Sequence, residues 1–281
     1  MASNKFLPYG RQSISSKDIE AVVEVLKSDY LTTGPQVKIF EDAFKLATGA
    51  KHAVACNSGT AALHLACMSA GLGPGNYAIV PSITFVATAN AVRMTGANVI
   101  FADVDSCTGL MTPRTLQEGI DFANRCGCKV RAVIPVHLNG QLCDMESIKE
   151  IISKHNDICI IEDACHALGV EDIGSCKYSN YACFSTHPVK AIATGEGGVV
   201  TTSNGDNWHL IKKLADHGIE RNHHLYEDME LSFTPDNHPN HWAYEQHNLG
   251  WNYRIPDILC ALGTSQLSML PEFMRNRRKL A

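Results

Sequence analysis

One pattern narrows the folds open to this chain more than any other. Short apolar runs at His52–Cys56, Ala78–Pro81, Val99–Val104, Val130–Val136, Ile158–Glu162, Ala182–Ser185 and Gly198–Thr202 read as strands. Most are separated by helix-like stretches, at Thr60–Ala70, Thr84–Met94, Thr112–Arg125, Met145–His155 and Asn207–His217. The early runs are apolar without polar alternation, as strands covered on both faces by helices are. Strand and helix in turn predict an α/β class domain, doubly wound around a mainly parallel sheet. Two helices are predicted ahead of it: Lys17 to Ser28, capped by Ser16, and Val37 to Ala47, stopped by Gly49. Beyond residue 218 the character changes. His223 to His247 is polar and rich in His, Asn and Pro, an excursion rather than core. An apolar helix follows over Asp257 to Leu270, and a further helix-like pattern begins at Met274.

Composition removes whole classes of function. With 281 residues, 45% hydrophobic and 19% charged, the chain can bury a real core and is not a disordered polymer. A net charge of −5 argues against nucleic-acid binding driven by phosphate contacts. No apolar run is long enough to cross a bilayer, and the opening MASNKFLPYGRQS lacks the apolar core of a signal peptide. The 11 cysteines form no CxxC pair, only the CxC of Cys126 and Cys128, and read as thiols of a reducing, cytoplasmic compartment. His238 and His241, with His223, His224 and His247 nearby, offer a metal-binding alternative. It lacks acidic or thiolate partners at suitable spacing, so no metal site is expected.

Three segments carry chemistry. Cys56-Asn-Ser-Gly-Thr60 passes from a strand straight into a helix, placing the Ser58 and Thr60 hydroxyls and free N–H groups where a phosphate dianion binds. An ordinary N-cap is the plainer reading. Ile160-Ile-Glu-Asp163 ends a strand in a carboxylate, at the strand end that faces the ligand crevice in open α/β sheets. Asp163 could equally cap the turn that follows. Lys190 ends Phe184-Ser-Thr-His-Pro-Val-Lys190 just before a glycine-rich turn. A surface lysine is the usual fate, but in a cationic site a lysine can do Schiff-base chemistry. Phosphate cradle, carboxylate and amine are together the parts that pyridoxal 5′-phosphate (PLP) needs, and Phe85 at another strand end supplies a ring to cover it.

The ordered motifs Leu31-Thr-Thr-Gly-Pro35, Asn57-Ser-Gly-Thr60, Pro81-Ser-Ile-Thr-Phe85, Glu162-Asp-Ala-Cys-His166, Phe184 to Lys190, Gly195-Glu-Gly-Gly198 and Leu249-Gly-Trp-Asn-Tyr-Arg254 span nearly the whole chain. In them the chain resembles the DegT-type family of PLP-dependent nucleotide-sugar aminotransferases, whose fold is of the aspartate-aminotransferase type. His187 to Lys190, Asp216-His-Gly218 and Trp242 to Gln246 are most similar to a pseudaminic-acid-pathway subgroup. That subgroup aminates C4 of a UDP-4-keto-6-deoxy-N-acetyl hexose with glutamate as donor.

The resemblance implies Lys190 as the Schiff-base lysine and proton shuttle, and Asp163 as the partner of the ring nitrogen. It implies Ser58, Gly59, Thr60 and Ser185 around the phosphate, Phe85 stacked on the ring and His166 near the ring hydroxyl. Asn252 would reach the phosphate in a neighbouring subunit, making the site the property of a homodimer, while Thr33 and His187 would face the sugar. Lysine rather than histidine at 190 favours transamination over dehydration. Residues 1–255 would form the PLP-binding large domain and 256–281 the start of a small C-terminal domain that family members continue into past Arg278. On that expectation the chain as given binds PLP weakly and turns over poorly. The alternative is a non-catalytic PLP-fold module with a binding or regulatory role.

Overall fold

The computed structural model describes residue 8 and residues 10–280. Most of the opening segment compared with a signal peptide lies outside the described residues. The chain builds helices α1 (Ser16–Leu26) and α2 (Pro35–Thr48), then β1 (His52–Cys56), α3 (Gly59–Ser69), β2 (Asn76–Pro81), α4 (Ala87–Met94) and β3 (Asn98–Ala102). It continues with α5 (Pro113–Arg125), β4 (Lys129–Val133), α6 (Met145–Ile152), β5 (Cys159–Asp163), β6 (Tyr181–Ser185), β7 (Gly198–Thr202) and α7 (Gly205–Ala215). Then come β8 (Ile219–Glu220), α8 (Met229–Ser232), β9 (Glu245–Gln246) and α9 (Asp257–Leu280).

The seven long strands form one sheet in the order β1-β7-β6-β5-β4-β2-β3. Only β7 runs against the rest, pairing antiparallel with β1 and β6 while the other pairs are parallel. The carboxyl ends of β1, β2, β4, β5 and β6 therefore share one edge with the start of β7. Three apolar clusters flank the sheet. One joins α3, α4 and α7 to the sheet around Leu63, Leu65 and Ile211. A second gathers Phe40, Phe44, Phe184 and Leu267 under α2 and α9, and a third packs α5 and α6 around Leu116, Ile120 and Ile148.

Several boundaries differ from the sequence reading, each for a local reason. Ser15, not Ser16, caps α1: its hydroxyl accepts from Asp18 N at 3.3 Å while Asp18 Oδ2 accepts from Ser15 N at 2.8 Å, a reciprocal capping box. The helix expected to stop at Leu270 runs through Pro271 to Leu280, because Leu267, Leu270 and Met274 pack into the cluster on both sides of the proline. Tertiary packing there outweighs the lost backbone bond. The polar excursion carries the short α8 and the two-residue ladder of β8 and β9. It is tied down by Arg254, which pairs with Asp216, and by backbone bonds from Trp251 N to Leu214 O and Tyr253 N to Ala215 O.

The N-terminus of α2 has no side-chain cap of its own. Fully buried Asp257, the first residue of α9, supplies one across the chain: its carboxylate accepts from Gly34 N at 2.8 Å and Gln36 N at 2.9 Å. On α3, His64 is buried with Nδ1 3.0 Å from the Tyr253 hydroxyl.

Asp257→Ala removes the cap from two partly buried N–H groups and should lower stability by about 1–2 kcal/mol in urea denaturation. His64 gives a pH signature. Burial pulls its pKa down to about 4, so between roughly pH 6.5 and 4 the unfolded chain takes up a proton that the folded one refuses. Its share of stability is intact above pH 6.5 and declines by about 3 kcal/mol as pH falls to 4. Denaturation midpoints measured across that range should fall less steeply in His64→Gln.

Candidate active site

A cavity of about 620 Å³ opens at the shared edge of the sheet. Its wall includes Ser58, Gly59, Thr60, Thr84, Phe85, Asn139, Asp163, His166, Ser185, His187, Lys190 and Glu196. Nine of the eleven candidate residues from the sequence thus meet in one space. Each arrives from a strand end: Ser58 to Thr60 after β1, Phe85 after β2, Asp163 and His166 from β5, and Ser185, His187 and Lys190 from β6.

Ser58 caps α3 by accepting from Ala61 N at 3.0 Å. The plain N-cap reading is therefore correct, and it coexists with a cradle: the N–H groups of Gly59 and Thr60 lie in the first turn, with no intrahelical carbonyl to bond. The cradle depends on close backbone approach. A Cβ on Gly198 would sit 2.3 Å from Ser58 O, and one on Gly59 would sit 2.7 Å from Ser185 Cβ. The glycines let β7 and β6 close on the head of α3, bringing the Ser185 hydroxyl beside its free N–H groups.

Asp163 is only 5% exposed. Its Oδ2 accepts from the Thr88 hydroxyl at 2.7 Å and its Oδ1 from Cys165 N at 3.2 Å. Thr88 has spent its single proton on the carboxylate, so the Thr84 hydroxyl, 2.7 Å away, donates to Thr88 in turn. The backbone is clasped as well, with Asp163 N donating to Pro135 O at 2.9 Å and His137 N to Asp163 O at 3.1 Å. On the opposite face of β5, Glu162 accepts from buried His137 Nε2 at 2.9 Å and from the Ser179 hydroxyl. His137 Nδ1 accepts from Cys143 N at 3.2 Å, which places the ring proton on Nε2.

His166 Nδ1 accepts from Asn139 N at 3.2 Å, so its neutral ring carries the proton on Nε2. Burial lowers its pKa, the Lys190 charge lowers it further, and Asp163 partly opposes them. Lys190 lies in a turn, its N–H donating to His187 O at 2.8 Å. Thr186 is buried with its hydroxyl 2.6 Å from that of Thr194. Phe85 stands 67% exposed at the cavity lip.

Two candidates stay outside this wall. Thr33 is exposed in the left-handed region at φ 55°, and Asn252 is exposed, its carbonyl accepting from Asn57 Nδ2 at 3.4 Å. Thr84, Thr88, Asn139 and Glu196 were not picked out in the sequence. Thr84 and Glu196 sit inside the motifs Pro81–Phe85 and Gly195–Gly198 without a role assigned there, and Thr84 and Thr88 are spaced four apart in the helix expected over Thr84–Met94. Among the described residues, no three His, Cys, Asp or Glu side chains come together as a metal site, and no helix is long and apolar enough to cross a membrane.

The comparisons with known proteins agree with one another. The model of the DegT/DnrJ/EryC1/StrS aminotransferase family matches residues 12–281. The chain is 36% identical over 282 residues to the spore coat polysaccharide biosynthesis protein SpsC of Bacillus subtilis, covering 99% of this chain and 68% of that protein. It is 36% identical over 280 residues to the UDP-4-amino-4-deoxy-L-arabinose–oxoglutarate aminotransferase of Shewanella sediminis, with the same coverage. Among solved structures it superposes on Helicobacter pylori PseC, an aminotransferase of pseudaminic acid biosynthesis, with a TM-score of 0.83 at 29% identity, covering 98% of this chain and 68% of that one. It also matches a PLP form of the sugar aminotransferase Spr1654 of Streptococcus pneumoniae, with a TM-score of 0.82 at 26% identity, covering 97% and 69%. The chain belongs to the DegT/DnrJ/EryC1/StrS aminotransferase family.

Proposed function

We propose that this aminotransferase uses pyridoxal 5′-phosphate to pass an amino group from glutamate to C4 of a UDP-4-keto-6-deoxy-N-acetyl hexose. The observation that carries the cofactor assignment is the convergence in one cavity of the α3 cradle, buried Asp163 and Lys190. The residues fit the group. Ser58, Gly59, Thr60 and Ser185 offer hydroxyls and N–H groups to a phosphate, and a cavity of about 620 Å³ lies within the ordinary range for small-molecule sites, about 300–1,000 Å³. Bound PLP supplies an electron sink through which an amino group is exchanged between two substrates.

The chain's own residues do the rest. Asp163, held by Thr88 and Cys165 N, presents an anion that keeps a ring nitrogen protonated. The Lys190 amine would hold the cofactor as an imine and would serve as the group that moves a proton on the substrate side. Phe85 would offer a face to the ring, and His166, its tautomer set by Asn139 N, is assigned to the ring hydroxyl. His187 on the cavity wall and Thr33 outside it are assigned to the sugar.

Asn252 is assigned to the phosphate in a partner subunit. Its exposure and the exposed apolar side chains of Phe85 at the cavity lip and its neighbour Val86 support a homodimer with shared sites. Eleven unpaired cysteines support a reducing, cytoplasmic setting. The sugar assignment rests on the motifs around His187 and Trp242 and on the likeness to PseC.

The direct test is an absorbance spectrum of the protein with added PLP. Wild type should show the long-wavelength band of a lysine-bound cofactor, bleached by glutamate, and Lys190→Ala should show neither; a band retained in Lys190→Ala would overturn the lysine assignment. Thr88→Val removes a donor to a buried carboxylate and should cost about 2 kcal/mol in denaturant unfolding, with weaker PLP binding by titration. Thr88→Ser, which keeps the hydroxyl, should recover most of both losses.

A further inference from the structure

Lys190 is carried by neither a helix nor a strand. Residues 187–197 form a connection between β6 and β7, closed at its base by Thr194 N donating to Thr186 O and Thr186 N donating to Gly197 O, both at 2.9 Å. The part of the connection that bears the lysine is held from behind, by α9. Arg277 donates to the carbonyl of Lys190 itself at 2.7 Å. Gln266 Oε1 accepts from Ala193 N at 3.2 Å. The two anchors are eleven residues apart on α9, close to three helical turns, and so lie on one face of it. Between them Met274 of the same helix packs over Gly169, just past His166.

Gln266 is itself fixed. It is 1% exposed, and its Nε2 donates to Ser13 O at 2.9 Å and to Asp18 Oδ2 at 2.8 Å. One buried amide thus joins the segment before α1, the cap of α1 and the lysine connection. A Gln in such a place makes bonds that no apolar side chain replaces, and loss of any partner leaves a buried polar group unpaired.

We propose that Arg277 and Gln266 are positioning residues for Lys190. α9 fixes the lysine's backbone so that its amine enters the cavity already oriented, instead of searching from a mobile turn. The proposal rests on Lys190 being the cofactor lysine; the clamp itself does not.

Arg277→Met tests it without risk to the core, since Arg277 is exposed. Hydrogen exchange on the cofactor-free protein, read by mass spectrometry, should show several-fold faster exchange in peptides covering 187–197 and no change elsewhere. On adding PLP, the long-wavelength band should appear several-fold more slowly than in wild type and titrate at a shifted pH. Non-covalent PLP affinity, compared between Lys190→Ala and Lys190→Ala/Arg277→Met, should be equal. Arg277→Lys, which keeps a charged donor, should recover part of the rate. Gln266→Leu should deepen both effects if it folds, and the arginine variants decide the matter if it does not.

Unchanged exchange at 187–197, or a wild-type rate of band formation in Arg277→Met, would overturn the proposal. So would faster exchange spread over α9 and α1, the mark of a purely structural role. A wild-type protein that forms no band would instead sink the cofactor reading, and the exchange result would then decide the clamp alone.

Discussion

A carboxylate buried at the end of a strand survives there only if donors surround it. Asp163 sets this demand, and much of the local architecture answers it. Thr88 reaches it from α4, Cys165 N turns back to it, and Pro135 and His137 hold its backbone in place. The alternation of the strand then sends its neighbour Glu162 to the opposite face, where His137 and Ser179 satisfy it separately. Two adjacent acids are kept apart by the pleat, one facing the chemistry and one stitching the sheet behind it. The hydroxyl chain from Thr84 through Thr88 makes the carboxylate a rigid group rather than a floppy one.

The reversed strand β7 plays a matching part for the phosphate cradle. A parallel strand in that place would deliver its carboxyl end to the cavity; the antiparallel one delivers Gly198 instead, and with it a backbone close enough to press on Ser58 O. The glycine-rich stretch after Lys190 is therefore a packing requirement of the sheet as much as a turn. Cradle, lysine and carboxylate follow the carboxyl ends of β1, β6 and β5, with only the start of β7 between the first two, so small shifts in the sheet would disturb all three together.

Much of this was legible in the sequence, for physical reasons. Apolar runs covered on both faces announce themselves, and β1 and β7 carry the predicted bounds unchanged while β5 and β6 differ by one residue. Asp163 stood out because an ionisable residue at the end of a buried strand is rare without a purpose, and Lys190 because it lies in the strand–loop segment just ahead of a glycine-rich turn. What escaped were groups whose meaning is relational. Thr88 is an ordinary helix residue until Asp163 lies 2.7 Å away, and Asn139 matters only through its backbone N–H. Gln266 and Asp257 act on partners more than seventy and two hundred residues distant, which no local pattern reveals. The expected end of the last helix at Leu270 fell short, since contacts unseen in the sequence carry α9 on through Pro271.

The bond from Asp257 to the head of α2 joins residues separated by 223 positions. The layer made by α1, α2 and α9 is thus closed by contacts of very long sequence separation, and Gly263 of α9 lies so near Phe40 that a Cβ would come within 2.6 Å of its ring. Such closure carries the entropy of the whole intervening loop. During synthesis, α1 and α2 emerge first yet have no lid for the Phe40 and Phe44 cluster until residues 257–270 follow. These helices are made about two hundred residues ahead of the segment that secures them, and over that stretch of synthesis the nascent chain carries an apolar face that a chaperone, or another unfinished copy, is free to meet.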